Sequence, residues 1–472
     1  MEQNDLKECF DALAAKQAAH TKRWRYYDGD HPISFVNPKM NEVIPNSVVF
    51  KKNWCQVVVN ATRDRLAVQS WSPDEASDQL DELWKKVLKR AASRVHIATL
   101  VTGEAYIVAW PDKSGNPKAY YHDPRQAHVF YDEDDPDTPR LACKTWAAGK
   151  RSYLNLYYTD RIEHYVADTE NPSGWSAYHA TEAGVESNPY GVIPVFHFRL
   201  DPRRCTGELT EGVLSLQDGM NKLLNDMMVA SEYSSFPQRW GIGNWDGTSK
   251  LPVGPGTILK LPPGAPGDQP ASVGTFATTD PQNYLQSIDS LGGSMAILSA
   301  TPKHFFDGQG GAPSGEALNA MEAPLIAKVL LYQEILGQAW EQCMAFVAAL
   351  DGTAVDAEDI ECIWAAPHTV QPQSQAQTWL TKTQAGIPIR NILRDEGWTD
   401  EQLAELDEDT KASAPAAPAP GMPAQPQRGT PQTRDDAAPT FKAMAPATPD
   451  MAGQLASTGA LSRAVSRMAA RV

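Results

Sequence analysis

Apolar residues return at steps of three and four in five stretches of the chain, and each stretch predicts an amphipathic helix. Residues 5–27 put Leu6, Phe10 and Leu13 on one side. A second stretch runs from about Pro73 to Leu100, with Leu80, Leu83, Val87 and Ala91 in phase. Residues 213–233 align Leu216, Met220, Leu223 or Leu224, and Met227, and residues 281–298 align Tyr284, Leu285, Ile288, Leu291, Met295 and Leu298. The fifth is the most regular. From Leu318 through Met321, Leu325, Val329, Tyr332, Leu336, Trp340, Cys343 and Val347 to Leu350, every step is three or four. A helix over 316–350 is about 50 Å long at 1.5 Å per residue. Ser314 stands where an N-cap belongs, Glu316 falls in the first turn, and Pro324 predicts a kink. A stripe of that length needs a large domain or a neighbouring subunit to cover it.

Between the second and third helices the period falls to two. Residues 103–110 and 118–121 read as a hairpin across the polar turn Pro111–Asn116, and further short strands are expected at 154–158, 161–166 and 191–199. Residues 236–278 are rich in Gly and Pro, with short strands expected at 239–242 and 257–261. A helix followed by meandering antiparallel strands predicts an α+β fold, not a βαβ repeat. At 472 residues, the chain exceeds what one hydrophobic core covers.

Residues 411–450 differ in kind. Nine prolines fall in those forty positions with alanines between them, so the segment cannot bury enough surface to offset its ordering entropy, and an extended, disordered tail is expected. The last twenty residues regain a helical pattern, with Leu461, Val465, Met468 and Val472 on one face and Arg463, Arg467 and Arg471 on the next. That pattern reads either as a frayed terminal helix or as a short cationic docking helix on a flexible leash.

The net charge of −16 sharpens this picture. Residues 411–472 hold seven basic and three acidic side chains, which leaves −20 on the other 410. So acidic a body is a poor candidate for tight binding to phosphate backbones through its bulk surface. No run of 18 or more apolar residues occurs, so no membrane-spanning helix is expected, and the polar N-terminus does not read as a signal peptide. The six cysteines are scattered without zinc spacing, and indicate neither a disulfide frame nor a metal site.

The templates for catalysis fail one by one. The glycine-rich stretch 308–315 lacks the Lys-Ser/Thr ending that cradles phosphate, and its Ser314 has the wrong offset for a nucleophile elbow. Gly241-Ile242-Gly243 has no third glycine at dinucleotide spacing. The run Asp132-Glu133-Asp134-Asp135 lacks calcium-loop spacing and reads as a solvated turn. His122, His128, His164 and His197 fall in strand-like stretches, where a structural or surface role is expected.

The order of elements is more informative than any one site. It runs from an α+β region through a helix, a Gly/Pro-rich excursion, a second helix and a glycine loop to a very long helix. Local phrases accompany it: Tyr26-Tyr27-Asp28-Gly29-Asp30-His31, Gly103-Glu104-Ala105-Tyr106, Asn188-Pro189-Tyr190-Gly191-Val192-Ile193-Pro194-Val195, Leu216-Gln217-Asp218-Gly219-Met220-Asn221-Lys222-Leu223 and Pro313-Ser314-Gly315-Glu316-Ala317-Leu318. Over roughly 5–410 this resembles the Gp6-like portal proteins of tailed bacteriophages. No single phrase is specific; their shared order carries the resemblance.

The resemblance implies a wing over 1–212, stem helices over 213–235 and 279–300, and a clip over 236–278 between them. It also implies a tunnel loop over 301–315 that presents Lys303, His304, Phe305 and Gln309 to a channel. A long kinked helix and a wing return strand would follow over 316–368, then a crown over 369–410 and a tail over 411–472, with Arg463, Arg467 and Arg471 as its docking residues. The implied assembly is a homo-oligomeric ring of twelve at one capsid vertex of the virion, made in the host cytoplasm. Double-stranded DNA would pass through it during packaging and ejection without sequence recognition. A separate terminase large subunit would supply the ATPase, so no enzymatic activity, cofactor or metal is expected. The other implied partners are the major capsid protein, the scaffolding protein and a head-tail adaptor, with no membrane. Two other readings stay open on the residues alone: a soluble enzyme whose site is not evident, and another oligomeric virion connector.

Overall fold

The computed structural model describes residues 2–32, 50–73, 76–168, 171–178, 184–201, 203–235, 239–243, 270–277, 280–306, 315–353, 355–368 and 372–395, together with 403, 404 and 406. The chain divides into two units, Met1–His368 and Thr369–Val472.

The first unit opens with helix α1 (Glu2–Tyr27). Helix α2 (Trp54–Arg63) follows, capped by the Asn53 side chain, which accepts from the backbone N–H of Gln56. Strand β1 (Val68–Ser72) comes next. The helix expected over 73–100 forms as α3 (Ser77–Leu83), a π turn over Trp84–Leu88, and α4 (Lys89–Thr102). Then the chain meanders through β2 (Glu104–Pro111), β3 (Pro117–His122), β4 (Ala127–Tyr131), β5 (Pro139–Ala148), β6 (Arg151–Tyr157), β7 (Arg161–Asp168), β8 (Asn171–Ala177), β9 (Val185–Ser187) and β10 (Val195–Arg199).

Every pairing here is antiparallel. One sheet has the order β10-β2-β3; the other runs β4-β5-β6-β7-β8, with β9 added on β7. The fold is α+β, as the change of period predicts. The larger sheet buries Leu141, Cys143, Leu154 and Leu156 under Cys9 and Leu13 of α1, so the helix predicted at the start of the chain serves as the lid of this sheet.

Helix α5 (Glu211–Ser235) leads to the two-stranded ribbon β11 (Arg239–Ile242) and β12 (Ser272–Thr275). The strand expected at 257–261 lies outside the described residues. Helix α6 (Gln282–Ser299) is followed by a 3₁₀ turn, Lys303–Phe305, and by helix α7 (Gly315–Asp351), which contains Pro324. Strand β13 (Glu361–Trp364) then returns to pair with β1. The main core lies where α2, α3, α4 and α7 meet β2 and β10, around Trp54, Trp71, Trp84, Phe198 and Trp340. In this core His96 Nε2 accepts from Trp340 Nε1 at 3.0 Å. Most of the apolar stripe of α7 is covered by this packing, with Leu325, Val329, Leu336, Trp340, Cys343 and Val347 buried, while Met321 near its start is exposed.

The second unit holds α8 (Pro372–Gln384) and α9 (Ile389–Asp395), with Trp379, Ile392, Leu393, Leu403 and Leu406 forming its own small core.

Candidate functional site

Two constellations stand out from ordinary packing: the root of the α5–α6 pair, and a buried carboxylate in the α+β region.

Helices α5 and α6 pack against each other in antiparallel register. A Cβ added at Gly212 would sit 3.5 Å from Leu298 Cδ1, and one at Gly219 would sit 3.6 Å from Leu291 Cδ1, so two glycines seven apart receive two leucines seven apart. A different face of α5 carries amides. Asn225 donates to the Phe50 carbonyl at 2.9 Å and accepts from the Phe50 N–H at 3.2 Å. Asn221 accepts from Lys52 N–H at 3.1 Å, and Gln217 donates to the Lys52 carbonyl at 2.6 Å while accepting from Trp54 N–H at 2.8 Å. Each helix step of four thus meets a step of two along the extended segment 50–54. The rises match closely: about 6.0 Å for four helical residues against about 6.6 Å for two extended ones. Asp218 completes the root by accepting from Tyr26 Oη, and Asn221 Nδ2 lies 3.1 Å from His31 Nδ1. The phrases around Tyr26 and Gln217, far apart in sequence, meet here.

Helix α6 ends in a left-handed residue, Ala300 (φ 49°), with Thr301 N–H returning to the Ala296 carbonyl. Lys328 of α7 caps that end. Its ammonium donates to the Ser299 carbonyl at 2.6 Å and to Glu208 Oε2 at 2.7 Å, while Thr62 Oγ1 donates to Glu208 Oε1. A cation at a helix C-terminus is favourable, and here it also neutralises a buried carboxylate. Burial pushes the Glu208 carboxyl above its ordinary range, against the pull of Lys328 and Thr62.

Of the residues expected in the tunnel loop, Lys303 pairs with Asp289 of α6 at 2.9 Å, and the His304 ring packs edge-on against Phe305. Phe305 is half-buried; the Arg65 guanidinium lies 5.8 Å from its ring, and it lines a cleft of about 310 Å³ with Gln56, Asn60, Asp64 and Arg65. Phe306 is buried against Trp54, and Lys52 Nζ donates to its carbonyl at 3.1 Å. Residues 303–306 are therefore bolted to the root of the α5–α6 pair. Gln309 lies outside the described residues, as do Ser314 and Arg463, Arg467 and Arg471 of the tail.

Sequence reasoning did not single out Glu104 as a site residue. Its carboxylate is fully buried at the start of β2 and is surrounded by polar groups of α1, β2 and β10 and of the segment at Cys205. Lys16 and His20 of α1 reach Oε1 at 2.9 and 2.8 Å, Tyr106 Oη donates to Oε2, and His197 Nε2 of β10 lies 3.2 Å from Oε2. Cys205 Sγ approaches Oε2 at 3.5 Å. Lys16 also donates to the Ala127 carbonyl and lies 3.1 Å from His128 Nδ1 of β4. Burial opposes the charged form of Glu104, but the close approach of the His197 and His20 rings and the charge of Lys16 outweigh it and hold the carboxyl far below the usual range. The group is a fastener. One charge, satisfied on all sides, fixes α1, β2, β4 and β10 together.

Burial moves the neighbouring histidines the other way. His128 is pushed down to about 3, with Lys16 adding to the effect; His122 falls to about 3 and His96 to about 4. Each stays neutral in the folded state below pH 6.5, where the unfolded chain takes up a proton. Their contribution is complete above pH 6.5 and shrinks as pH falls toward 4, by up to about 1.4 kcal/mol per pH unit for each histidine. The Tm is therefore expected to drop steeply between pH 6.5 and 4.5. A Tm that stays flat across that range would contradict this account.

None of these groups pairs a nucleophile with a base at an open cleft, and no cluster among the described residues has the makings of a metal site. The portal protein of Mycobacterium phage D29 is 24% identical over 387 residues, spanning 74% of this chain and 77% of that one. The portal protein of Mycobacterium phage L5 is 23% identical over 491 residues, spanning 92% and 96%. Among solved structures, the neck of a native gene transfer agent particle computed with C12 symmetry covers 73% of this chain and 88% of its own at 13% identity, with a TM-score of 0.44, below the level that shows a shared fold. The profile described as "Phage portal protein, SPP1 Gp6-like" matches residues 6–416. With the match running from the first helix past α9, the chain belongs to the SPP1 Gp6-like family of phage portal proteins.

Proposed function

We propose that the chain works as a cyclic ring, twelve copies in the virion, through which double-stranded DNA enters and leaves the capsid. The family match carries this reading. In this arrangement residues 1–212 form the wing, 213–235 and 279–300 the stem, 236–278 the clip, 301–315 the tunnel loop and 369–410 the crown. The long helix and its return strand over 316–368 tie stem to wing, and the tail over 411–472 extends as a disordered arm. The terminase large subunit, the capsid and scaffolding proteins and a head-tail adaptor are the proposed partners.

Surface chemistry supports self-association. Apolar side chains stand in solvent on the helices around the stem root: Ile297 is 83% exposed, Leu298 60% and Leu331 52%, with Leu330, Met321 and Leu285 close behind. Side chains of this kind in a helical stripe call for cover, and a second copy of the same chain supplies it around a closed ring. Lys303, His304, Phe305 and Gln309 are proposed to lie at the channel wall. The pairing of Lys303 with Asp289 leaves little net charge there to trap a moving duplex.

Solution mass tests the reading. Twelve chains of 51.6 kDa give a particle of about 620 kDa. Sedimentation is expected to show a species of that order, and replacing Ile297 and Leu331 by Asp is expected to shift it toward single chains. A wild-type protein that sediments as a monomer or dimer at high concentration would reject the ring.

A further inference from the structure

The π turn Trp84–Leu88 and helix α4 carry a concentration of positive charge that the channel does not use, directly after the acidic helix α3 with its Asp78, Asp81 and Glu82. Buried positions along this segment are Leu80, Leu83, Trp84, Leu88, Ala91 and Val95. From the π turn onward the exposed positions fall between them in pairs, Lys85 and Lys86, Lys89 and Arg90, Ser93 and Arg94, whereas the exposed positions of α3 are Asp78, Gln79 and Glu82. From Leu83 to Gly103 the sequence contains no acidic residue, in a body whose net charge is −20. Lys85 lies 4.0 Å from Asp81; Lys86, Lys89, Arg90 and Arg94 make no ion pair among the described residues.

The wide turn explains how the cations keep to one face. At 100° per residue, a strict step of four drifts by about 40° each time along an ordinary α-helix. One i→i+5 turn, closed by Lys89 N–H on the Trp84 carbonyl, takes part of that drift back. Lys85 and Lys86 therefore stay in line with Lys89 and Arg90, and the stripe runs about 13 Å to Arg94. Like charges one turn apart repel, so an anion laid along the stripe relieves a strain that the free subunit carries. Strand β3 packs beside the π turn through Ala119 and Tyr121, while Lys118 and the 61% exposed Tyr120 alternate onto the other face of the sheet.

We propose that this stripe is a second DNA site, outside the channel, which holds the phosphate backbone of a duplex without reading its sequence. The dimensions fit: 13 Å faces about four phosphates of one strand at 3.4 Å each. An acidic protein segment would match the charge but needs apolar anchors to dock, and the stripe offers none between its cations. The choice of DNA as the ligand rests on the portal reading; the site itself does not.

A closed ring cannot thread a closed circle, so a nicked circular plasmid probes the outside alone. Full-length wild-type protein is expected to bind it with an affinity that falls steeply with salt. The variant Lys86→Ala/Lys89→Ala/Arg90→Ala/Arg94→Ala keeps good helix formers at every position. It should lose about 3–4 from the slope of log affinity against log salt, and about a hundredfold in affinity at 50 mM salt. The charge-conserving variant Arg90→Lys/Arg94→Lys should bind like wild type, and Lys86→Ala/Lys89→Ala should lose about half the slope. Unchanged slope and affinity in the quadruple variant would overturn the proposal. So would polyglutamate binding to the stripe where the plasmid does not. Sedimentation of the same samples separates the two readings, since intact rings that ignore the plasmid reject the stripe and leave the portal reading standing.

Discussion

Replacing Glu104 by glutamine is expected to destabilise the α+β region by about 3–5 kcal/mol, the usual cost of removing one partner of a buried ion pair. The substitution keeps the shape and removes the charge. Lys16 is then left with an ammonium that is only 12% exposed and bound to neutral groups, namely Tyr106, the Ala127 carbonyl and His128. The amide has two acceptor lone pairs where the carboxylate accepts from Lys16, His20 and Tyr106 and faces His197. The loss should fall on α1 first, because Lys16 and His20 are its polar anchors to β2. Hydrogen exchange is expected to show 2–27 opening ahead of the long helix. A double change, Glu104→Leu with Lys16→Met, should recover part of the loss by removing both charges. A single Glu104→Gln protein with wild-type stability would show that the network contributes nothing net.

Gly103→Ala is expected to cost about 3 kcal/mol or more for an unrelated reason. Gly103 ends α4 with φ at +97°, and the chain 205–206 passes over the place where a side chain would stand. A Cβ there would meet the Thr206 nitrogen at 2.2 Å and the Cys205 carbonyl carbon at 2.5 Å. Neither neighbour is the free end of a side chain, so the backbone itself must move. Gly207 has the same relation to the other partner, since a Cβ on it would lie 2.1 Å from the Leu100 oxygen. The two segments interlock through their glycines, and the Leu200 and Glu208 N–H groups bond to Gly103 and Leu100 carbonyls across the contact. Denaturant midpoints for Gly103→Ala and Gly207→Ala should fall together, and the double variant should cost less than the sum, because one displacement accommodates both. Full additivity would argue against a shared contact.

Both substitutions fall at one short phrase, Gly103-Glu104-Ala105-Tyr106, which sequence reading could notice but not explain. Local pattern suffices where a face is buried along one element. The stripes of α1, α5, α6 and α7 and the alternation around residues 103–121 were legible because each residue's partner class is set by its neighbours in sequence. Helix α2 escaped because Val57, Val58 and Val59 form a β-branched run with weak helix propensity; burial of Trp54, Cys55, Val58 and Val59 overrides it. Strands β1 and β13 are nearly 300 positions apart, and nothing local announces their pairing. The Glu104 network was hidden for the same reason, its donors coming from 16, 20, 106 and 197. One signal was available: a glutamate at the head of a run whose next five residues are all apolar or aromatic has to be paired or displaced. The cations of the π turn and α4 were equally visible and were lost in a whole-chain average that is strongly acidic.

The amide rungs between α5 and the segment 50–54 behave as a vernier. Their two scales differ by about 0.6 Å per rung, so the offset grows as the rungs are counted outward. Gln217, one methylene longer than Asn221 and Asn225, reaches both the Trp54 N–H and the Lys52 carbonyl and so spans the first increment. The fourth place on the helix belongs to Val229, which offers no amide at all. A clamp graduated in this way can hold only a fixed length of helix, whatever the length of the chain that runs beside it. Beyond Asn225 the helix is held by apolar packing instead, Val229 being buried, so a Val229→Asn substitution should loosen α5 rather than add a rung.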